Sequence, residues 1–314
     1  MPPSFKKLII MKLSVFAKCI PVMLGLLVLA SCKEDDAVPE FEKKTAAAEE
    51  QKQEESGDNS GENSGETQPE NTAGAPVMGK VTKYKLSGVS ELSGLCLSKD
   101  KTHMWGIGDD GKLYKINFDG TFEYIRALGG DLEGLTIDPD TGNMYVAMEG
   151  DQRVAILKAP GYEKLSKLFD VTEAADYGNS GLEGIAWYKG ELWVGSQTGA
   201  NIWRYTLNGT KQEGKRSLRD VKSTISEVAD MCYDPVSDRL WVVDSNSNEG
   251  KPQYLPFQLY VFSGDAKKFI ASYPLSSYTT NNPEVVCVDR DHSCVWVADD
   301  SSTSVLHKIE FTNL

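Results

Sequence analysis

The sequence is poor in the residues that carry most nucleophilic and zinc chemistry. Its 314 residues include three histidines, His103, His292 and His307. His103 and His292 fall in expected hairpin turns and His307 in an expected strand, so none is placed to activate a serine. Six cysteines are present, but no Cys/His group has zinc spacing. Cys96, Cys232 and Cys287 share one repeat position with Thr136 and Ala186, which makes them small core residues. Cys294 is the one candidate for a disulfide, to Cys287 across a hairpin in an oxidising compartment. Positive charge is also scarce, with 33 Lys and Arg against 46 Asp and Glu and a net charge of −13. No basic patch is visible, and a nucleic-acid backbone would repel such a surface. The N-terminal apolar run, Ile20 to Ala30, is too short for the roughly 20 residues of a membrane helix.

What the chain does have is repetition. Five copies of one unit occur, each opening with acids, followed by a short apolar strand, a turn and an aromatic-led second strand. The clearest reads Gly181-Leu182-Glu183-Gly184-Ile185-Ala186-Trp187 and then Glu191-Leu192-Trp193-Val194-Gly195. Its relatives begin at Glu91, Asp131, Glu227 and Pro283. The small residues Cys96, Thr136, Ala186, Cys232 and Cys287 are spaced by 40, 50, 46 and 55 residues. Multi-stranded repeats of roughly that length signal a β-propeller, because a lone sheet cannot bury both of its faces. The expectation is an all-β propeller of five blades, with six as the alternative if Leu207–Glu227 or Phe262–Glu284 hides a hairpin. The last copy is one strand short. Val81–Leu86, ahead of the first copy, is expected to supply that strand and close the ring, removing an exposed edge. Trp105, Trp193, Trp241 and Trp296 share one repeat position and read as packing between blades.

Three regions follow. Residues 1–32 have positive flanks, an apolar run and the ending Leu29-Ala30-Ser31-Cys32, which resembles the bacterial lipobox, with Cys32 as lipid anchor; a plain secretory signal is the alternative. Residues 33–78 carry 4 Lys and 13 Asp or Glu and almost no large apolar residues, the composition of a disordered tether. Its opening, Lys33-Glu34-Asp35-Asp36, resembles the surface-export signal of some lipoproteins, or is simply a solvated linker. Residues 79–314 form the propeller domain, which carries the remaining −8. The expected location is the cell envelope, lipid-anchored, at the outer membrane and facing the periplasm or the surface.

The acids carry the functional signal. Glu91, Asp131, Glu133, Glu183, Glu227 and Glu284 precede or open the first strands, which line the channel of a propeller. A second tier, Asp109, Glu149, Gln197, Asp244, Asp299 and Asp300, follows the second strands. Converging carboxylates repel one another unless protons or a cation intervene, and calcium, with six to eight oxygen ligands, suits such a set. The candidate metal ligands are Glu91, Glu133, Glu183, Glu227, Glu284, Asp109, Glu149, Asp244 and Asp299. The alternative is that they hydrogen-bond backbone amides or face water. Asp109-Asp110-Gly111 and Asp299-Asp300 also fit ordinary turn chemistry. The insertion Ser245–Pro256, with Tyr254, is expected to hang over one face beside a binding cleft.

Glu91-Leu92-Ser93-Gly94-Leu95, the two Leu-Glu-Gly openings and Asp138-Pro139-Asp140-Thr141-Gly142 together resemble the SdiA-regulated family of envelope β-propellers, over about residues 80–314. The resemblance implies a link to calcium handling and a likeness to phytase-type propellers, and it falls on Glu91, Glu133 and Glu183. The fourth and fifth copies depart, with Ala229-Asp230 and Glu284-Val285 in place of Glu-Gly. The function expected is a lipid-anchored, calcium-dependent binding module with a small-molecule or protein ligand and no nucleic acid. The alternatives are a calcium-dependent hydrolase acting on phosphoesters or lactones, and a protein-interaction scaffold.

Overall fold

The computed structural model describes residues 71–174, 177–178, 181–245 and 257–314. Cys32, the tether up to residue 70 and residues 246–256 of the insertion, with Tyr254, lie outside them. The described chain holds twenty strands. After β1 (Val77–Lys85) come β2 (Leu92–Leu97), β3 (Met104–Gly108), β4 (Lys112–Ile116) and β5 (Phe122–Ala127). Next are β6 (Leu132–Ile137), β7 (Met144–Met148), β8 (Arg153–Leu157) and β9 (Leu165–Asp170), then β10 (Leu182–Tyr188), β11 (Glu191–Ser196), β12 (Asn201–Tyr205) and β13 (Lys211–Ser217). The last are β14 (Asp230–Asp234), β15 (Arg239–Asp244), β16 (Gln258–Ser263), β17 (Phe269–Pro274), β18 (Pro283–Asp289), β19 (Cys294–Asp299) and β20 (Val305–Thr312). They form five four-stranded antiparallel sheets, one per repeat.

The turns explain why the strands stop where they do. At the end of β6, Asp138 accepts the Asp140 amide at 2.9 Å and the Thr141 hydroxyl at 2.6 Å, while Gly142 takes φ +81°. Asp234 holds the corresponding turn after β14, accepting the Val236 amide at 3.1 Å and the Ser237 hydroxyl. An Asx turn of this kind gives the backbone a local partner and ends the ladder.

Five blades are observed, and the two suspect stretches hold only the outer strands β13 and β17 with short 3-10 turns or loops. The ring closes as expected. β1 lies antiparallel to β20, with Val81 opposite Ile309 and Lys85 opposite Val305. The last sheet therefore runs β1-β20-β19-β18, and its outermost strand comes from the opposite end of the chain. Five apolar clusters fill the five seams between blades. The seam that completes the circle joins Leu86, Leu92, Leu95 and Met104 to Val285, Cys287, Trp296 and Leu306. Trp193, Trp241 and Trp296 are fully buried in three successive seams, and Tyr145 and the partly buried Trp105 take the same role in the others.

The folded region begins earlier than residue 79. Asn71 bridges to Ala271, the Thr72 amide donates to the Ile270 carbonyl at 2.9 Å, and Ala75 is buried against the fourth and fifth blades. The Tyr273 hydroxyl donates to the Pro76 carbonyl at 2.5 Å. Low apolar content placed these residues in the tether. What seats them is backbone pairing to the outer edge of β17, which composition does not register. All four cysteines among the described residues are free thiols, Cys294 included, and Cys294 lies opposite Asp289, two positions from Cys287.

Candidate functional site

The Leu-Glu-Gly openings turn out to be β-bulges. The pairing of β6 with β7 slips by one residue between Leu132 and Leu135, and that of β10 with β11 slips between Leu182 and Ile185. Glu133 and Gly134 thus stand opposite Ala147 alone, and Glu183 and Gly184 opposite Gly195. The first and fifth blades slip at the same place, between Leu92 and Gly94 and between Pro283 and Val285. A bulge re-aims the side chains it carries. The glycine has a separate task, because a Cβ on Gly134 would come within 2.7 Å of the Glu183 carbonyl and 2.8 Å of the Ile185 amide. Its absence lets neighbouring inner strands approach. The fourth blade has no bulge in β14. There Asp230, fully buried, accepts the Val286 amide at 3.0 Å and ties the fourth blade to the fifth directly.

The acids of several blades meet at this end of the inner strands. Carboxylate oxygens of Asp109, Asp131 and Glu133 lie within 4.8 Å of one another. Burial pushes Glu133 well above the usual carboxylate range, reinforced by Glu284, Asp109, Glu149 and Asp131. Glu183 is raised by burial and then by Glu133, Glu284 and Glu149, and Glu284 by burial and then by Asp300, Glu227, Asp109 and Glu149. Partial burial, a hydrogen bond shared with Asp131 and the charges of Asp131, Glu91 and Asp300 push Asp109 up to about 7. The neighbouring charges that raise these four groups are all carboxylates. Such a set takes up protons or cations.

Of the nine expected ligands, the structure brings Asp109, Glu133, Glu149, Glu183 and Glu284 together. Glu91 and Glu227 flank them. Glu91 is exposed at φ +51°, and Glu227 is buried and accepts the Ser245 hydroxyl. Asp244 and Asp299 are committed elsewhere. Asp244 accepts the Ser226 amide at 2.7 Å and its hydroxyl at 2.6 Å. Asp299 accepts the Val305 amide at 2.8 Å and the Ser301 and Thr279 hydroxyls at 3.1 Å, with His307 Nε2 at 3.7 Å. Burial alone would raise Asp299, but these donors hold it below the usual range. Both carboxylates hold loops in place. Conversely, Asp131 sits in the tightest group although it was not among the nine. Its position two residues before Glu133 was the signal.

The donor set fits a hard cation. Three carboxylates converge, further carboxylates surround them, and the Gly181 amide approaches Glu149 Oε1 at 3.3 Å, holding that side chain in place. Hard divalent ions prefer such oxygen donors. Among the described residues no helix is long and apolar enough to cross a membrane.

Toward the other ends of the inner strands lies a cavity of about 310 Å³, lined by Leu95, Cys96, Thr136, Trp187, Cys232 and Cys287 among others. Solved structures with similar architecture include a gluconolactonase from Xanthomonas campestris (TM-score 0.48, 11% identity, covering 74% of this chain and 90% of that one). A virginiamycin B lyase from Staphylococcus aureus is also similar (TM-score 0.46, 16% identity, covering 74% and 99%). None of the curated proteins matches the sequence. The model of the SdiA-regulated family does match, over residues 77–249, which is more than half of the chain and includes the two Leu-Glu-Gly bulges and the Asp109, Asp131 and Glu133 cluster. The chain belongs to the SdiA-regulated family.

Proposed function

We propose that this protein is a lipid-anchored β-propeller of the cell envelope that binds calcium at its acidic channel mouth and uses the ion to organise a ligand-binding face. The observation that carries this reading is the convergence of Asp109, Asp131 and Glu133 within 4.8 Å, with Glu149 and Glu284 acting on Glu133 and Glu133 in turn acting on Glu183. Left without a cation, these carboxylates compete for protons at a cost in folding free energy. A calcium ion removes that cost and supplies open coordination positions to a ligand. Cys32 provides the membrane link, and its lipidation places the propeller at the outer membrane.

The test is calorimetric titration of the protein with calcium, beside the double variant Glu133→Gln/Glu183→Gln. Heat release and a raised melting temperature in the wild type, both lost in the double variant, support the reading. No heat and no change in melting temperature would sink it. Metabolic labelling with a fatty acid, comparing the wild type with Cys32→Ser, tests the anchor.

A further inference from the structure

The cavity toward the far ends of the inner strands lies away from the acidic mouth, and the calcium reading does not use it. Much of its wall is aliphatic, with Leu95, Leu135, Met231 and Val286 all buried. Three amides of the inner strands already have acceptors on the adjoining blade. Trp187 donates to the Thr136 hydroxyl at 2.9 Å, Val286 to Asp230 at 3.0 Å and Val288 to the Cys232 sulfur at 3.5 Å. A sugar or other polyol would find few partners for its hydroxyls here, and burying them unpaired is costly. An alkyl chain asks for no partner and gains by leaving water.

The rim has a different character. In a chain of net charge −13, four cations, Lys99, Lys101, Lys189 and Arg290, line this one cavity, and among the described residues Asp234 is the only acid that does. The four sit on the turns that follow β2, β10 and β18. Three of them face carboxylates. Arg290 Nε meets both oxygens of Asp234 at 2.8 and 2.9 Å, Lys189 reaches Asp238 at 3.0 Å, and Lys101 reaches Asp291 at 3.2 Å. Lys99 does not. Its ammonium donates to the backbone carbonyl of Asp140, and among the described residues it has no carboxylate partner. Val236, at the edge of the same cavity, is an apolar side chain left 74% exposed.

We propose that this cavity binds one free fatty-acid anion of medium chain length, with the alkyl chain along the aliphatic wall and the carboxylate at the rim on Lys99. One cation without a carboxylate partner matches one negative charge. A dianion such as a phosphate monoester would need a second cation, which an existing ion pair would have to give up. The volume of about 310 Å³ is at the low end for ligand pockets, which favours a single short chain over a two-chain lipid. The site does not rest on the calcium reading, because the two use opposite ends of the inner strands.

The experiment uses the full chain carrying Cys32→Ser, so that no attached acyl chain competes, in a metal chelator, so that the result is separate from that of the calcium site. Equilibrium dialysis measures three labelled probes: octanoate, octanol, which has the chain without the charge, and acetate, which has the charge without the chain. Octanoate should bind with one equivalent, at least about 5-fold more tightly than octanol and far more tightly than acetate. Lys99→Met keeps the stem and removes the charge. It should weaken octanoate about 5-fold or more and leave octanol unchanged, whereas Lys99→Arg should retain octanoate. Val236→Asp places an opposing charge at the rim and should weaken octanoate by a similar factor. Lys80→Met, on β1 and outside the cavity, should change nothing. Lys99 and Val236 are both exposed, so these variants should stay folded, which circular dichroism checks. The proposal is overturned if the folded protein shows no saturable octanoate binding, or if octanol or acetate binds as tightly as octanoate. It is equally overturned if either Lys99→Met or Val236→Asp leaves the octanoate affinity unchanged.

Discussion

In the absence of a cation, stability should fall as the pH rises from about 4 to about 8, and Asp109→Asn should remove part of that fall. The sign follows from the direction in which the carboxyls are moved. Asp109 is raised from 3.8 to about 7, so the folded protein keeps its proton over a range in which the unfolded chain has lost it. The folded state then binds more protons, and its advantage, complete below about pH 4, is lost by about pH 7. The full difference would correspond to about 4 kcal/mol. Asp109 is exposed, so solvent screening cuts its share to about 1–2 kcal/mol. For a domain of this size that is about 2–8 °C in melting temperature. Calcium should reverse the trend, because it binds the ionised form and its stabilisation grows as protons leave. Thermal melts in chelator and in calcium, at steps across this range, for wild type and Asp109→Asn, are sufficient. A chelated protein whose melting temperature stays flat or rises with pH would refute the reasoning, as would an Asp109→Asn variant with an unchanged slope.

Three other outcomes can be checked. Gly134→Ala should cost about 2–4 kcal/mol in urea unfolding and abolish calcium binding, because the new methyl group meets the Glu183 carbonyl at 2.7 Å and pushes the next blade outward. Leu86→Ala, a fully buried side chain in the seam between the last and first blades, should cost about 2–5 kcal/mol and broaden the melt. Asp299→Ala should cost about 2–4 kcal/mol at neutral pH by stripping several donors of their acceptor. Because Asp299 is held below the usual range, its contribution is present above about pH 4 and lost as the pH falls further, so the variant and wild type should converge in acid.

Much of the fold was legible because each repeat carries its own markers. The slot of Cys96, Thr136, Ala186, Cys232 and Cys287 set the spacing, and the aromatic at Trp105, Tyr145, Trp193, Trp241 and Trp296 marked each second strand. Val81–Leu86 alternated and the last copy lacked a strand, so closure could be read without coordinates. The acids were visible as a series. Their fates were not, because these depend on partners outside the repeat. Asp244 and Asp299 belong to Ser226, Thr279 and Ser301, residues of irregular loops that no periodicity marks. The bulge at Glu133 and Gly134 exists only relative to Ala147 on the neighbouring strand. The pairing of Asn71 with Ala271 spans 200 residues and left no local trace.

The pairing of Val77 with Thr312 gives the chain an unusual timetable. For a polypeptide made from its N-terminus, β1 is the first of the described strands to be synthesised and the last of them to find its partner. The hairpins of the first four blades are local and can form as they emerge. The ring cannot shut until β20 exists, and that step closes a loop that spans all the other described strands. Until then β1 is an unpaired strand, and the seam between the last and first blades lies open to water. A product truncated before Val305 would keep both β1 and the outer side of β19 as bare edges, which is the kind of surface that drives strands of separate molecules together.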